Sequence, residues 1–271
     1  AFTVIDGKPV QVVKPAEAVT LPVFDLSGLD AVDRVRESQR IQWETFSQPF
    51  DLAEGQVIRF ALLGLPDATA ELIVAQHHIA TDGWSIALFC DELRVLRGAY
   101  AKGEEPSLPS LPIQYVDYAG WQREWLQGEV LAARLAYWRA RLDGLSVLDL
   151  PADRPRPAIQ SFAGAAQSFV LSATLSNALR RLSHEHDVTL YMTLLAAFEL
   201  LLHRLSGQER FAVGTTIANR PRPELEGMFG YFANLLPFRA DLSGAPTFRE
   251  LLRRVRATAL AAYAHQEMPF E

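Results

Sequence analysis

Two adjacent histidines stand just ahead of an aspartate–glycine pair in the stretch His77-His78-Ile79-Ala80-Thr81-Asp82-Gly83-Trp84-Ser85. Imidazole titrates nearest neutrality of all side chains and is suited to moving a proton. Gly83 permits a tight turn and the close approach of another backbone, and the free amides at a helix start can stabilise a developing negative charge. The chemistry suggested is proton transfer beside an anion-stabilising amide. Before the segment, residues 71–76 are rich in strand formers, and after Gly83 apolar residues recur at Trp84, Leu88, Leu93, Leu96 and Tyr100 with helical spacing. The histidines therefore fall where a strand ends and a helix begins. Successive strand residues point to opposite faces, so only one of the two can serve a site and the other is expected to face inward.

Rival chemistries fit less well. Adjacent histidines diverge, no HExxH occurs, and His184, His186, His203 and His265 lie in unrelated helical patterns, so no metal site is expected. There is no GxSxG elbow, and neither a Walker-type nor a GxGxxG phosphate cradle. A lone histidine would read as a core residue at a strand end, but a histidine pair followed by Asp-Gly weakens that reading.

The elements that must position these residues alternate between strand and helix. Residues 57–63 and 71–76, separated by the turn-prone Gly64-Leu65-Pro66-Asp67, predict two adjacent strands, and 115–142 predicts a helical region. Leu150-Pro151-Ala152-Asp153-Arg154-Pro155-Arg156-Pro157 suits neither helix nor central strand. Residues 150–165 are expected to link a first half, 1–149, to a second, 166–271. In the second half the spacing predicts strands at 166–171, 211–217 and 234–240 and helices at 174–186, 189–205 and 248–265. The fold class expected is mixed α/β, an α+β two-layer sandwich.

Composition narrows the partners. Of 271 residues, 49% are hydrophobic and 21% charged, which excludes disordered and fibrous chains. The net charge of −6 has the wrong sign for a nucleic-acid binder. The apolar run 190–202 is broken by Thr193 and Glu199 and is shorter than the ~20 residues of a membrane span. Neither nucleic acid nor membrane is an expected partner. A single cysteine, Cys90, precludes internal disulfides and fits a cytoplasmic location.

The segment 77–83 resembles the HHxxxDG signature of condensation domains of nonribosomal peptide synthetases, within the chloramphenicol-acetyltransferase-like acyltransferases. Further matches follow in order. Pro49-Phe50-Asp51-Leu52 is similar to the family's PFDL, Tyr115 to Trp121 to its YxDYAxW (with Gly120 where valine is usual), and Leu150 to Pro157 to its LPxDRPRP linker. Gly214 to Arg220 resembles GTPIANR with Thr216 departing, and Phe229 to Asn234 resembles GxFVNT with Ala233 and Leu235 departing. His265 to Glu271 is similar to HQDxPFE, with Glu267 for aspartate.

The resemblance implies two chloramphenicol-acetyltransferase-like lobes in a V around a channel. Both would be incomplete here, since the family's RHExLRT and RDxSRNPL segments fall outside residues 1–271, and such a fragment alone is expected to be poorly soluble. It implies amide formation between a donor acyl or peptidyl thioester and the amine of an acceptor aminoacyl thioester. Both would be carried on phosphopantetheine arms of peptidyl carrier proteins, with an adenylation domain adjacent and no cofactor bound directly. Carried over by position, His78 is the catalytic histidine, as base or as positioner of the amine, and Gly83 approaches the thioester carbonyl. His77 is structural, Asp82 is a structural acid expected to pair with Arg220 from the second lobe, and Trp84, Ser85 and Asn234 are candidates for the channel. His265 is expected to shape the second lobe, with Tyr115 and Trp121 in helix packing. An epimerization domain, a free-standing acyltransferase using coenzyme A, and a catalytically silent module that recruits carrier proteins are the alternatives.

Overall fold

The computed structural model describes residues 1–270 apart from 17, 156, 160, 162 and 163. The chain divides into two compact units, one made of residues 1–115 and 220–232, the other of 116–219 and 233–271. The boundary differs from the expected one. Residues 150–165 lie inside the second unit and, where described, form no helix or strand.

In the first unit, β1 (Phe2–Ile5) and β2 (Lys8–Gln11) form a hairpin closed by Asp6-Gly7, both at positive φ as a tight two-residue turn requires. A second sheet has the order β3 (Val23–Asp25), β4 (Ile58–Gly64), β5 (Ala70–Gln76), with β3 parallel to β4 and β4 antiparallel to β5. Helix α1 (Ala31–Ser47), capped by the Asp30 carboxylate, packs on β4 and β5. Alternation along the strands turns Ala61, Leu63 and Ile73 toward Ile41 of α1 and toward Leu26, giving a two-layer core. The strands β4 and β5 agree with the sequence pattern, whereas β1 to β3 and α1 are additions that the pattern does not announce. Helix α2 (Gly83–Lys102) follows β5 after one turn of 3₁₀ helix and ends at Gly103, whose φ of 70° suits a glycine cap.

The single helical region expected at 115–142 is two helices, α3 (Tyr115–Trp125), whose first residue closes the first unit and whose remainder belongs to the second, and α4 (Gly128–Leu142) of the second unit, broken where Gly128 adopts φ 53°. Next come α5 (Ala173–Glu185), α6 (Leu190–Ser206), β6 (Arg210–Ile217), β7 (Asn234–Asp241) and α7 (Phe248–Tyr263), close to the predicted spans. No strand forms at 166–171. Phe169 and Val170 are exposed there, and strand-forming side chains without a neighbouring strand to pair with do not make a sheet. β6 and β7 pair antiparallel from Arg210↔Asp241 to Ile217↔Asn234. Their buried residues Phe211, Leu236, Phe238 and Ala240 join Met192, Leu195 and Leu202 of α6, Leu251, Val255 and Ala259 of α7, and Trp138 of α4. That contact of Trp138 is why α4 belongs to the second unit rather than to the first half of the chain.

Candidate active site

β5 ends at Gln76, two residues short of the reach that strand alternation of both histidines requires. His77 is instead the cap of the 3₁₀ turn His78–Ala80, so the two imidazoles diverge through turn geometry and not through opposite sheet faces. His77 Nδ1 accepts the amide of Ile79 at 3.1 Å, and its ring stands edge-on to Phe50 at 5.8 Å. Both contacts are structural. His78 is exposed, and its Nδ1 lies 2.8 Å from the carbonyl oxygen of Thr81. A carbonyl can only accept, so Nδ1 carries a hydrogen, and in the neutral ring Nε2 is then the acceptor.

Beneath this turn lies a buried polar network. Asp82 is 2% exposed and caps α2: Oδ1 accepts the Ser85 amide at 2.8 Å and Oδ2 accepts the Phe232 amide at 3.1 Å. Arg220 Nη2 donates to Oδ1 at 3.3 Å, both side chains being almost fully buried, and Nη1 donates to the carbonyls of Leu225 and Met228. The guanidinium also lies over the Phe232 ring at 4.1 Å. Burial acts to raise the Asp82 pKa, but the hydrogen bonds from Ser85 and Phe232 and the charge of Arg220 outweigh it and hold the carboxyl below its ordinary range. Arg220 belongs to the same compact unit as Asp82, although it follows β6 in sequence.

Two residues expected at a substrate channel are occupied otherwise. Ser85 is 0% exposed. Its Oγ donates to the Gly230 carbonyl at 2.9 Å and accepts from Arg220 at 3.0 Å and from the Gly230 amide at 3.2 Å, so it has no surface to offer. Asn234, in the second unit, donates through Nδ2 to the carbonyls of Gln266 and Met268 at 2.8 and 2.7 Å, while Oδ1 accepts the amides of Leu235 and Phe270. It clamps the turn after α7. His265 lies in that turn, stacked on Tyr137 with centroids 3.6 Å apart, its pKa lowered by burial and then by Arg134.

Gly83 and Trp84 are exposed. The amides of the first helical turn lack intrahelical partners, so that of Gly83 is available where Asp82 takes the Ser85 amide. A Cβ on Gly83 would meet no heavy atom within 4 Å. Nothing in the fold demands glycine there. Trp84, a residue that is 42% exposed, donates through Nε1 to the Glu226 carbonyl at 2.8 Å. Three contributors escape sequence reasoning. The Thr81 carbonyl is a main-chain group and leaves no signature; Tyr115 and Tyr231 lie within the quoted motifs but at positions that read as packing or as variable. Tyr115 Oη donates to the Tyr231 carbonyl at 2.9 Å, and a Cβ on Gly230 would overlap the Tyr115 ring. Among the described residues no three His, Cys, Asp or Glu side chains form a group able to hold a metal.

An exposed imidazole whose Nδ1 is already engaged, next to a helix start whose glycine faces open space, can in its neutral form accept a proton from a nucleophile, and the helix start can present an amide to a polarised carbonyl. Comparison with known proteins gives the family of the chain. The family model described as Condensation domain matches residues 1–271. One of the linear gramicidin synthase proteins of Brevibacillus parabrevis is 48% identical over 271 residues, covering 100% of this chain, which spans only 5% of that relative's length. The X-domain from teicoplanin biosynthesis superposes with a TM-score of 0.86 at 29% identity, covering 99% of this chain and 60% of that one. A four-domain nonribosomal peptide synthetase bound to AMP and glycine gives a TM-score of 0.80 at 26% identity, over 94% of this chain and 19% of that one. Because the family model spans residues 1–271, the chain belongs to the condensation-domain family of nonribosomal peptide synthetases.

Proposed function

We propose that this chain catalyses amide formation between a donor acyl or peptidyl thioester and the amine of an acceptor aminoacyl thioester, with His78 and Gly83 in contact with the reacting groups. The observation that carries the reading is the 2.8 Å contact of His78 Nδ1 with the Thr81 carbonyl oxygen. With Nδ1 donating to the Thr81 carbonyl, Nε2 is the acceptor of the neutral ring, on a residue exposed to solvent. The acceptor amine attacks the donor carbonyl carbon, the new C–N bond forms, and the C–S bond breaks. The amine proton passes to His78 Nε2 and from there to the departing thiolate, while the Gly83 amide faces the carbonyl oxygen. Both thioesters are taken to ride on phosphopantetheine arms of peptidyl carrier proteins, in a cytoplasmic synthetase with an adenylation domain that supplies the acceptor. Asp82 and Arg220 hold the site and do not react.

The test replaces His78. His78→Ala is expected to cut amide product at least ~10²-fold, the scale of a lost general base, with an unchanged thermal midpoint because the side chain is exposed. Product formation at the parent rate with both carriers loaded would sink the assignment and favour a recruitment role.

A further inference from the structure

The buried network spends its hydrogen bonds on three consecutive residues. Gly230 is bound at both its amide and its carbonyl by Ser85 Oγ, the Tyr231 carbonyl accepts the Tyr115 hydroxyl, and the Phe232 amide is bound by Asp82. Four main-chain contacts thus bracket Tyr231, a residue that is 43% exposed. These contacts hold the segment on the start of α2, and in doing so they also fix the place of a ring that itself gains little from burial. What the ring touches is His78. The two rings meet edge-on, 5.0 Å between centroids and 85° between planes.

The bond from Nδ1 to Thr81 anchors one atom of the imidazole but leaves the plane free to rock about it. A second contact is needed to define the direction of Nε2. We propose that Tyr231 is a positioning residue for His78: its ring, aimed by the Asp82, Ser85 and Tyr115 contacts, fixes the imidazole plane so that Nε2 faces the incoming amine. The inference rests on His78 being the proton-accepting group. The ring does the work and not the hydroxyl, since it is the ring that meets the imidazole.

Three variants and two readouts test this. The probes are N-acetyl-alanyl pantetheine thioester as donor and alanyl pantetheine thioester as acceptor, and the second readout is nuclear magnetic relaxation of ¹⁵N-labelled histidine rings, which needs no substrate. Tyr231→Ala is expected to lower kcat about tenfold at unchanged KM, the range of a lost aromatic pair acting on orientation. Tyr231→Phe restores the rate, and the loss disappears when Tyr231→Ala is combined with His78→Ala. The His78 ring signal gains mobility in Tyr231→Ala while that of His77 stays as it was. An unaltered His78 signal, an undiminished kcat, or an equal loss in the His78→Ala background overturns the proposal. A fully active His78→Ala protein overturns the catalytic reading instead; a dead one beside an unimpaired Tyr231→Ala protein overturns the Tyr231 role alone.

Discussion

Gly83 separates a requirement of the fold from a requirement of the reaction. Its φ is not in the left-handed region and an added Cβ has no neighbour within 4 Å, so alanine fits the structure. In a helix, alanine is favoured over glycine by roughly 0.5–1 kcal/mol, less at the first position. Gly83→Ala is therefore expected to leave the thermal midpoint unchanged or slightly higher, yet to lower amide formation by an order of magnitude or more, because the methyl occupies space proposed for the thioester. Unfolding and product assays on the same preparation check it, and full activity would show that no substrate passes there. Gly230 is the opposite case, a glycine whose missing Cβ makes room for Tyr115. The sequence distinguishes neither. It does show that a histidine and a carboxylate lie around a helix start, because residue type and a tight turn suffice for that. It does not show that Ser85 is buried or that Thr81 acts through its carbonyl, because burial and main-chain bonds depend on what residues far along the chain bring over them.

At the scale of elements, the segment 220–232 is held on the start of α2 by one arginine serving several acceptors. Arg220 reaches the carbonyls of Leu225 and Met228 through one nitrogen and Asp82 and Ser85 through the other. A lysine ammonium cannot span that set, so Arg220→Lys is expected to destabilise by about 2–4 kcal/mol, near the cost of breaking a buried pair. Removing both charges, as in Asp82→Leu with Arg220→Met, should cost less than the two single losses added, since neither charge is then left alone. Denaturant titration of the four proteins gives the coupling, and strict additivity would mean the pair does not act as a unit. Because Asp82 is held below its ordinary range, its share of stability is present above pH 3.8 and fades as pH falls through the lowered value. Elements with internal periodicity, β4, β5 and α2, are legible in the sequence. Others are not: β1, β2 and β3 have four, four and three residues, too few to show alternation, and α1 carries Trp43 and Phe46 exposed as well as Ile41 buried, which blurs its apolar face.

Over the whole molecule, chain order and compact units do not coincide, because 220–232 joins the first unit while 116–219 and 233–271 share the second. Sequence proximity suggests a division at the prolines; contacts decide otherwise, through Trp138 on one side and Asp82 with Ser85 on the other. The second unit also holds a carboxyl that the proposed reaction does not use. Glu199 lies on the same α6 as the core residues Leu195 and Leu202, is 1% exposed, and its pKa is pushed up to about 8 by burial. In the unfolded chain it loses its proton near the ordinary 4.5, whereas the folded unit keeps it until about 8. Between those values the folded state binds the extra proton, so stability falls as pH rises, by at most ~1.4 kcal/mol per unit, and levels off above 8. Glu199→Gln removes the linkage while keeping size and shape. Its thermal midpoint is expected to decline less than the parent's from pH 5 to 9, so that the variant gains stability relative to the parent as pH rises. Parallel curves for the two proteins across that range would mean that Glu199 is not held protonated by the fold.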